Sequence, residues 1–406
     1  MKKYLKIIFI VFLMVSVSTG WAQEKKSTKK ENGVNLLKRS ARLISELDLG
    51  SSGTPPFLKR KKRIKRHLRR IIKSSNSKLQ KKYLLDFTKC LEEEKFENIP
   101  VAEFFFGTEI DLLLKYDKKS NSLSAIALKT SAEETESTGE LFDKIRIETG
   151  RGILGRNIRF FPTSNVIKIS ELVYPENLNK RAIVLNSAVD GSTSYPGVIL
   201  LKNVLEKEFV VNLKPIAKQI LKKKIYEGLN SGLLLRNVFL HHVAHYTIPF
   251  NIKGDGENRD FSGAALKELL LEAEEIRADL NYLTIISLLD EKTLINKGIK
   301  EETIYIFLLE KFAAMKDIAG KSGKSHSLTL LNSLYNRGGI GVGKGGKKLV
   351  VDLDLLTRNI KDLEALFDNI FKKGNYRECK AFFKKYSETP ENIKKLLKIS
   401  TSDKVE

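Results

Sequence analysis

The chain of 406 residues contains 2 cysteines, 1 tryptophan and 3 methionines. Cys90 and Cys379 allow one bridge at most, so a disulfide-stapled scaffold is excluded, and neither cysteine lies near enough to a histidine in sequence to suggest a metal ligand. Stability must come from burial. No stretch beyond the amino terminus is long and charge-free enough for a membrane span, which needs roughly 20 apolar residues. No period of about 20 to 50 residues recurs, as a repeat architecture would require.

The amino terminus has its own pattern. Met1 to Lys6 is short and basic, Ile7 to about Val17 is apolar, and Gly20-Trp21-Ala22 places small residues where a signal peptidase reads. Residues 1–22 are thus expected to be a signal peptide, cleaved after Ala22. That makes the mature chain exported, periplasmic or secreted, and not an integral membrane protein. With no cysteine near the cleavage site, a lipid anchor is not expected.

Acidic residues are also in deficit, with 49 Asp and Glu against 72 Lys and Arg, a formal charge of +23. Such an excess raises encounter rates with anionic surfaces of any kind. A lysine-rich proteome would give the same balance. The densest run carries Lys59, Arg60, Lys61, Lys62, Arg63, Lys65, Arg66, Arg69, Arg70 and Lys73, with Ile64, Leu68, Ile71 and Ile72 at helical spacing. It reads as a basic amphipathic helix for an anionic envelope surface or polymer, or as a solvated helix face. Chromosomal DNA is not an expected partner of an exported chain, and the run lacks the interleaved aromatics of single-strand binders.

Along the chain, residues 23–32 read as flexible, Leu36 to Leu49 as an amphipathic helix, and Gly50 to Pro56 as its break. Residues 23–80 form a basic leader, flexible or helical, in this reading. From Tyr83 to about Val211 strands and short helices are expected, the strands at Val101–Phe106, Ile110–Leu114, Ser122–Ala127, Ala182–Leu185 and Gly197–Leu201. Beyond Val211 the pattern is mostly helical. The fold class is therefore α+β in two lobes, a mixed α/β lobe over 81–210 and a mainly helical lobe over 211–400, with the boundary near 205–230.

Three of the 5 histidines fall within five residues, as His241-His242-Val243-Ala244-His245. Asn230-Ser231 can cap a helix running to Tyr246 and stopping before Pro249, which places His241 and His245 one turn apart on one face. Two imidazoles so placed suit a tetrahedral metal. A second helix, from near Ser262 to Leu289, carries Glu268, Glu272, Glu275 and Asp279 on one stripe. One of these acids can complete a His, His, Glu site, with the next orienting an imidazole. The same stripe opposite Leu269, Ile276 and Leu283 is equally what an exposed amphipathic helix shows.

The segment Val238–His245 followed by Glu274-Glu275-Ile276-Arg277-Ala278-Asp279 resembles the zinc core of the dipeptidyl peptidase III family of metallopeptidases, in its short bacterial and Nudix-associated form. The likeness extends over about residues 195–395, through Gly197–Val204, Ser325-His326-Ser327, Asn336-Arg337-Gly338-Gly339-Ile340, Val350-Val351-Asp352 and Lys373-Gly374-Asn375-Tyr376. It implies that His241, His245 and Glu275 bind Zn2+, that Asp279 and Glu274 support the site, and that His326 faces a peptide substrate. It also implies a zincin-like helical lobe and a cleft between two lobes. At the position of His242 the family has glutamate, the general base. Tyr246, Ser325 and Ser327 replace its usual small residues, and Lys316, Lys321 and Lys324 stand for its arginine-rich stretch.

His242 is a candidate catalytic residue of weakened basicity, because a protonated imidazole is disfavoured beside a divalent cation. The reading is an impaired or inactive hydrolase that binds peptide; its alternative is a non-enzymatic envelope protein acting through the basic helix. Gly338 to Lys348 holds a near miss to a phosphate loop, read as a hairpin because a strand is predicted at Leu349–Leu353 where a helix should begin. Gly150 to Arg156 reads as a turn.

Overall fold

The computed structural model describes residues 33–99, 110–150, 158–159, 167–176, 178, 180–185, 197–245, 248–249, 265–291, 298–318 and 326–398. The expected signal peptide, the polar segment to Asn32, the strand at Val101–Phe106, the turn at Arg151–Arg156, and Tyr246, Ser262, Lys321, Lys324 and Ser325 lie outside them. The chain divides into two compact units, one of residues up to Thr135 with Lys168–Leu201, the other of Glu136–Ile167 with Lys202 onward.

The first unit opens with three helices, α1 (33–45), α2 (Pro55–Ser74) and α3 (Lys78–Glu93). Pro55 and Pro56, read as a break, are instead the first residues of α2, with the Thr54 hydroxyl accepting from Phe57 N–H at 3.5 Å. Proline suits this position because the first helical N–H groups have no intrahelical acceptor. Phe57, Ile64, Leu68 and Ile71 of α2 and Leu84, Phe87 and Leu91 of α3 are buried. Each such side chain contributes about 1.5–3 kcal/mol by leaving water. Over residues 33–80 the expected leader is thus helical, and its apolar residues are buried. Tyr83 lies on α3, and its hydroxyl accepts from Leu114 N–H at 3.1 Å.

Leu114 belongs to β1 (Ile110–Asp117), which pairs antiparallel along its length with β2 (Ser122–Thr130). Leu123, Ala125 and Ala127 alternate inward on β2, the period of two that a half-buried strand requires. The helix α4 (Ala132–Gly150) follows, then β3 (Ile158–Arg159), β4 (Ile167–Tyr174), β5 (Ala182–Leu185) and β6 (Gly197–Leu201). The sheet order is β1-β2-β4-β6-β5. Its middle strand, β4, was not among the predicted strands.

The second unit continues through α5 (Lys202–Glu208), a π-helical turn at Phe209–Leu213, α6 (Lys214–Ile220), α7 (Lys223–Tyr226) and α8 (Ser231–His245). Then come β7 (Ile248–Pro249), α9 (Leu270–Glu291), α10 (Ile299–Ile318) and α11 (His326–Asn336). The hairpin β8 (Ile340–Val342) and β9 (Leu349–Val351) leads into α12 (Leu353–Lys373), α13 (Tyr376–Lys385) and α14 (Glu391–Leu397). The predicted strand at Leu349–Leu353 therefore ends at Val351, where Asp352 caps α12 by accepting from Leu355 N–H at 2.9 Å. The Lys348 ammonium donates to the carbonyls of Lys218, Gln219 and Leu221 at the end of α6. That use of the lysine suits a helix terminus with unpaired carbonyls and agrees with the hairpin reading.

At the centre of this unit α9 touches α8, α10, α11 and α12. From Ile276 through Leu280, Leu283 and Ile286 it is buried all round, so it is a core helix and not an exposed amphipathic one. The two cysteines are free and buried, Cys90 in the first unit and Cys379 in the second. No bridge joins them. Burial pushes the Cys379 thiol up to about 11, leaving it little thiolate at neutral pH.

Candidate metal centre

The site lies where α8 and α9 face each other. Asn230 Oδ1 accepts from Leu233 N–H at 3.2 Å, fixing the start of α8. The Asn281 amide of α9 donates to Ala244 O at 3.4 Å near its end. Between these ties, His241 and His245 project toward Glu274, Glu275 and Asp279.

Each imidazole is held through Nδ1. His241 Nδ1 is 2.9 Å from Asp279 Oδ1, and His245 Nδ1 is 3.3 Å from Glu274 Oε1. When the imidazoles are neutral, a proton on each Nδ1 satisfies those carboxylates and leaves each Nε2 lone pair for a metal. Both lone pairs are aimed at one place: the two Nε2 atoms are 3.0 Å apart, His241 Nε2 is 3.2 Å from Glu275 Oε2, and His245 Nε2 is 3.6 Å from Glu275 Oε1. Ligand atoms about 2.0–2.1 Å from a tetrahedral zinc are about 3.3 Å from one another. The donor set thus matches zinc in type, number and spacing. Ligand atoms of His241, His245 and Glu275 all lie within 4.8 Å of one another, so this cluster could hold a metal ion.

The surrounding charges are arranged on the same plan. Arg277 donates to Glu274 through Nε at 2.7 Å and Nη2 at 2.5 Å. Lys311, on α10, pairs with Asp279 Oδ2. Burial alone would raise these carboxyls, but Arg277 and His245 hold Glu274 down to about 2, and His241 holds Glu275 to about 2. Asp279 is held below the ordinary range by Lys311 and His241 against the same opposing burial. Three carboxylates against two fixed cations leave one negative charge to meet a divalent ion. In the metal-free protein His241 answers that charge: burial lowers its proton affinity, yet Asp279 and Glu275 raise its pKa to about 9.

The acidic stripe of α9 divides. Glu275 and Asp279 reach the histidines, whereas Glu268 sits in a short 3-10 turn and accepts from the Tyr376 hydroxyl at 2.5 Å. Glu274, beside Glu275 in sequence, takes the place at His245 instead. His242 is not in the ligand group; its ring centroid is 5.6 Å from that of His241 and 6.2 Å from that of His245. His326 opens α11 and lies within the field of Glu275 and Asp279, its pKa lowered by burial and then by Lys311. Of the lysines at 316, 321 and 324, Lys316 is exposed on α10.

Lys311 went unnoticed in the sequence, though a signal was there. It stands four residues after Phe307 and four before Met315, on the apolar stripe of α10, where a lysine requires a buried acid.

No protein-family model matches the chain. Nudix hydrolase 3 of Arabidopsis thaliana is 28% identical over 142 residues, which is 35% of this chain and 18% of that protein. The chain therefore spans less than a fifth of the length of that relative. Among solved structures, DPP III from Caldithrix abyssi superposes with a TM-score of 0.70 at 16% identity, over 85% of this chain and 69% of that one. Dipeptidyl-peptidase III from Corallococcus sp. strain EGB gives 0.63 at 16%, over 84% and 66%. At such identities the likeness is one of fold: this chain has the α+β fold of the dipeptidyl peptidase III structures.

Proposed function

We propose that this is an exported, metallopeptidase-like protein that binds zinc through His241, His245 and Glu275, holds peptide at that site, and is impaired or inactive in hydrolysis. The observation that carries the reading is the convergence of two Nε2 lone pairs and one carboxylate, each imidazole fixed from behind by its own acid. A zinc ion bound there supplies Lewis acidity. Asp279 and Glu274 orient the imidazoles, Lys311 and Arg277 keep those acids ionised, and His326 is the group we assign to the substrate carbonyl oxygen. The missing function is proton abstraction. A family base would stand at His242, where a neutral imidazole on a cationic site accepts a proton poorly.

Metal analysis tests the site. The purified protein should carry close to one zinc per chain, and His241→Ala and Glu275→Ala should each carry a small fraction of that. A zinc-poor parent protein sinks the proposal. Export rests on the pattern of Met1 to Ala22; amino-terminal sequencing of protein recovered outside the cytoplasm should begin at Gln23, and an intact Met1 there would refute cleavage.

A further inference from the structure

Ten Lys and Arg side chains fall between Lys59 and Lys73, and the structure sorts them into two sets. Arg60 pairs with Glu46, Lys61 with Glu94 and Lys65 with Glu92. These three are half-buried and lie beside the apolar residues of α2. Lys59, Lys62, Arg63, Arg66, Arg69, Arg70 and Lys73 are exposed, and none makes an ion pair among the described residues.

At roughly 100° per residue these seven fall within an arc of about 120°, a stripe about 21 Å long. The buried residues Phe57, Ile64, Leu68 and Ile71 occupy the opposite side. The helix contains no acid. A merely solvated face would interleave carboxylates at i±4 to neutralise such crowding. Here the crowding is left standing, and exposed Arg39 of α1 adds to it. His67 registers the field: burial, then Arg63, Arg70, Arg39 and Arg66, lower its proton affinity.

We infer that this face of α2 docks on the surface of an anionic phospholipid bilayer. A single straight row of cations with long stems meets a plane of headgroups along its whole length, while the apolar side of α2 stays in the core of its own unit. Leu58, 48% exposed at the edge of the stripe, offers an apolar contact that a headgroup layer accepts. Nucleic acid fits less well. The one aromatic of this helix other than His67 is Phe57, which is buried, so nothing on the face stacks a base. This inference stands apart from the metal-centre reading, since it uses none of its residues.

The test is co-sedimentation of the full chain with vesicles of phosphatidylcholine alone and of phosphatidylcholine doped with phosphatidylglycerol. Binding is expected to the doped vesicles only, and to fall away as salt shortens the screening length. Removing three stripe charges in Arg63→Gln/Arg66→Gln/Arg70→Gln should weaken it about 100-fold, at roughly tenfold or less per cation. Lys59→Gln/Lys62→Gln, at the other end, should lose affinity in proportion. Lys61→Gln/Lys65→Gln, removing paired cations, should change it by about threefold or less. Thermal melts confirm that each variant is folded. Equal loss in the paired and unpaired variants, no binding to doped vesicles at low salt, or displacement from vesicles by short duplex DNA would each overturn the inference, the last in favour of nucleic acid.

Discussion

His242→Glu is expected to raise peptide hydrolysis about 100- to 10,000-fold over the parent protein, the range a positioned general base commonly supplies. The argument rests on position. His242 follows a proposed ligand on α8 and its ring lies within 6.2 Å of both ligand rings by centroid, close enough for a glutamate at this position to approach a substrate held there. An imidazole at the same place, beside a bound divalent ion, would be disfavoured in its protonated form and would store the abstracted proton poorly. The gain should appear in kcat more than in KM on a fluorogenic peptide, and should vanish in His242→Glu/Glu275→Ala. A zinc-loaded His242→Glu protein with no gain would show that the substrate-binding residues have diverged as well as the base.

Lys311→Met is expected to cost about 3–5 kcal/mol, the usual penalty for stripping one partner from a buried ion pair. Asp279 is 2% exposed and Lys311 7%, so no water replaces the lost ammonium. At roughly 2–4 °C per kcal/mol for a large domain, the thermal midpoint should fall by about 10 °C. Acid titration separates this role from simple packing. Asp279, held below its ordinary range, contributes stability that is complete above roughly pH 4 and is lost as pH falls below it. Without Lys311 its carboxyl protonates more readily, so acid unfolding of the variant should begin at higher pH. Asp279→Asn/Lys311→Met should regain part of the stability, since neither charge is then stranded; a double variant as unstable as the sum of its parts would refute the pairing.

What could be read from sequence was local. The i,i+4 spacing of His241 and His245 and the acids about thirty residues later named the candidate cluster, and short apolar runs between turn residues marked β1, β2, β5 and β6. What escaped depended on partners distant in the chain. Pro55 and Pro56 look like a break until Thr54 is seen to cap the helix they begin. That α3 packs beside the sheet shows only when Leu114 N–H is found bonded to the Tyr83 hydroxyl. Glu268, Glu272, Glu275 and Asp279 form one stripe on paper, but the α-helix begins only at Leu270, leaving Glu268 in a turn with Tyr376. Nor did spacing distinguish Glu274 from its neighbour, because adjacent residues reach two histidines only when a second helix lies alongside.

The buried charges beneath the two histidines have a bearing on how such a chain ages. Asp279, Arg277 and Lys311 sit in the core of the second unit, so exchanging any of them endangers folding before it touches chemistry. His242 carries none of those three charges. Under the proposed reading, a lineage released from the need to cut peptides would drift first at the base, while the frame of buried charges beneath the two histidines is preserved by the same selection that keeps the protein folded.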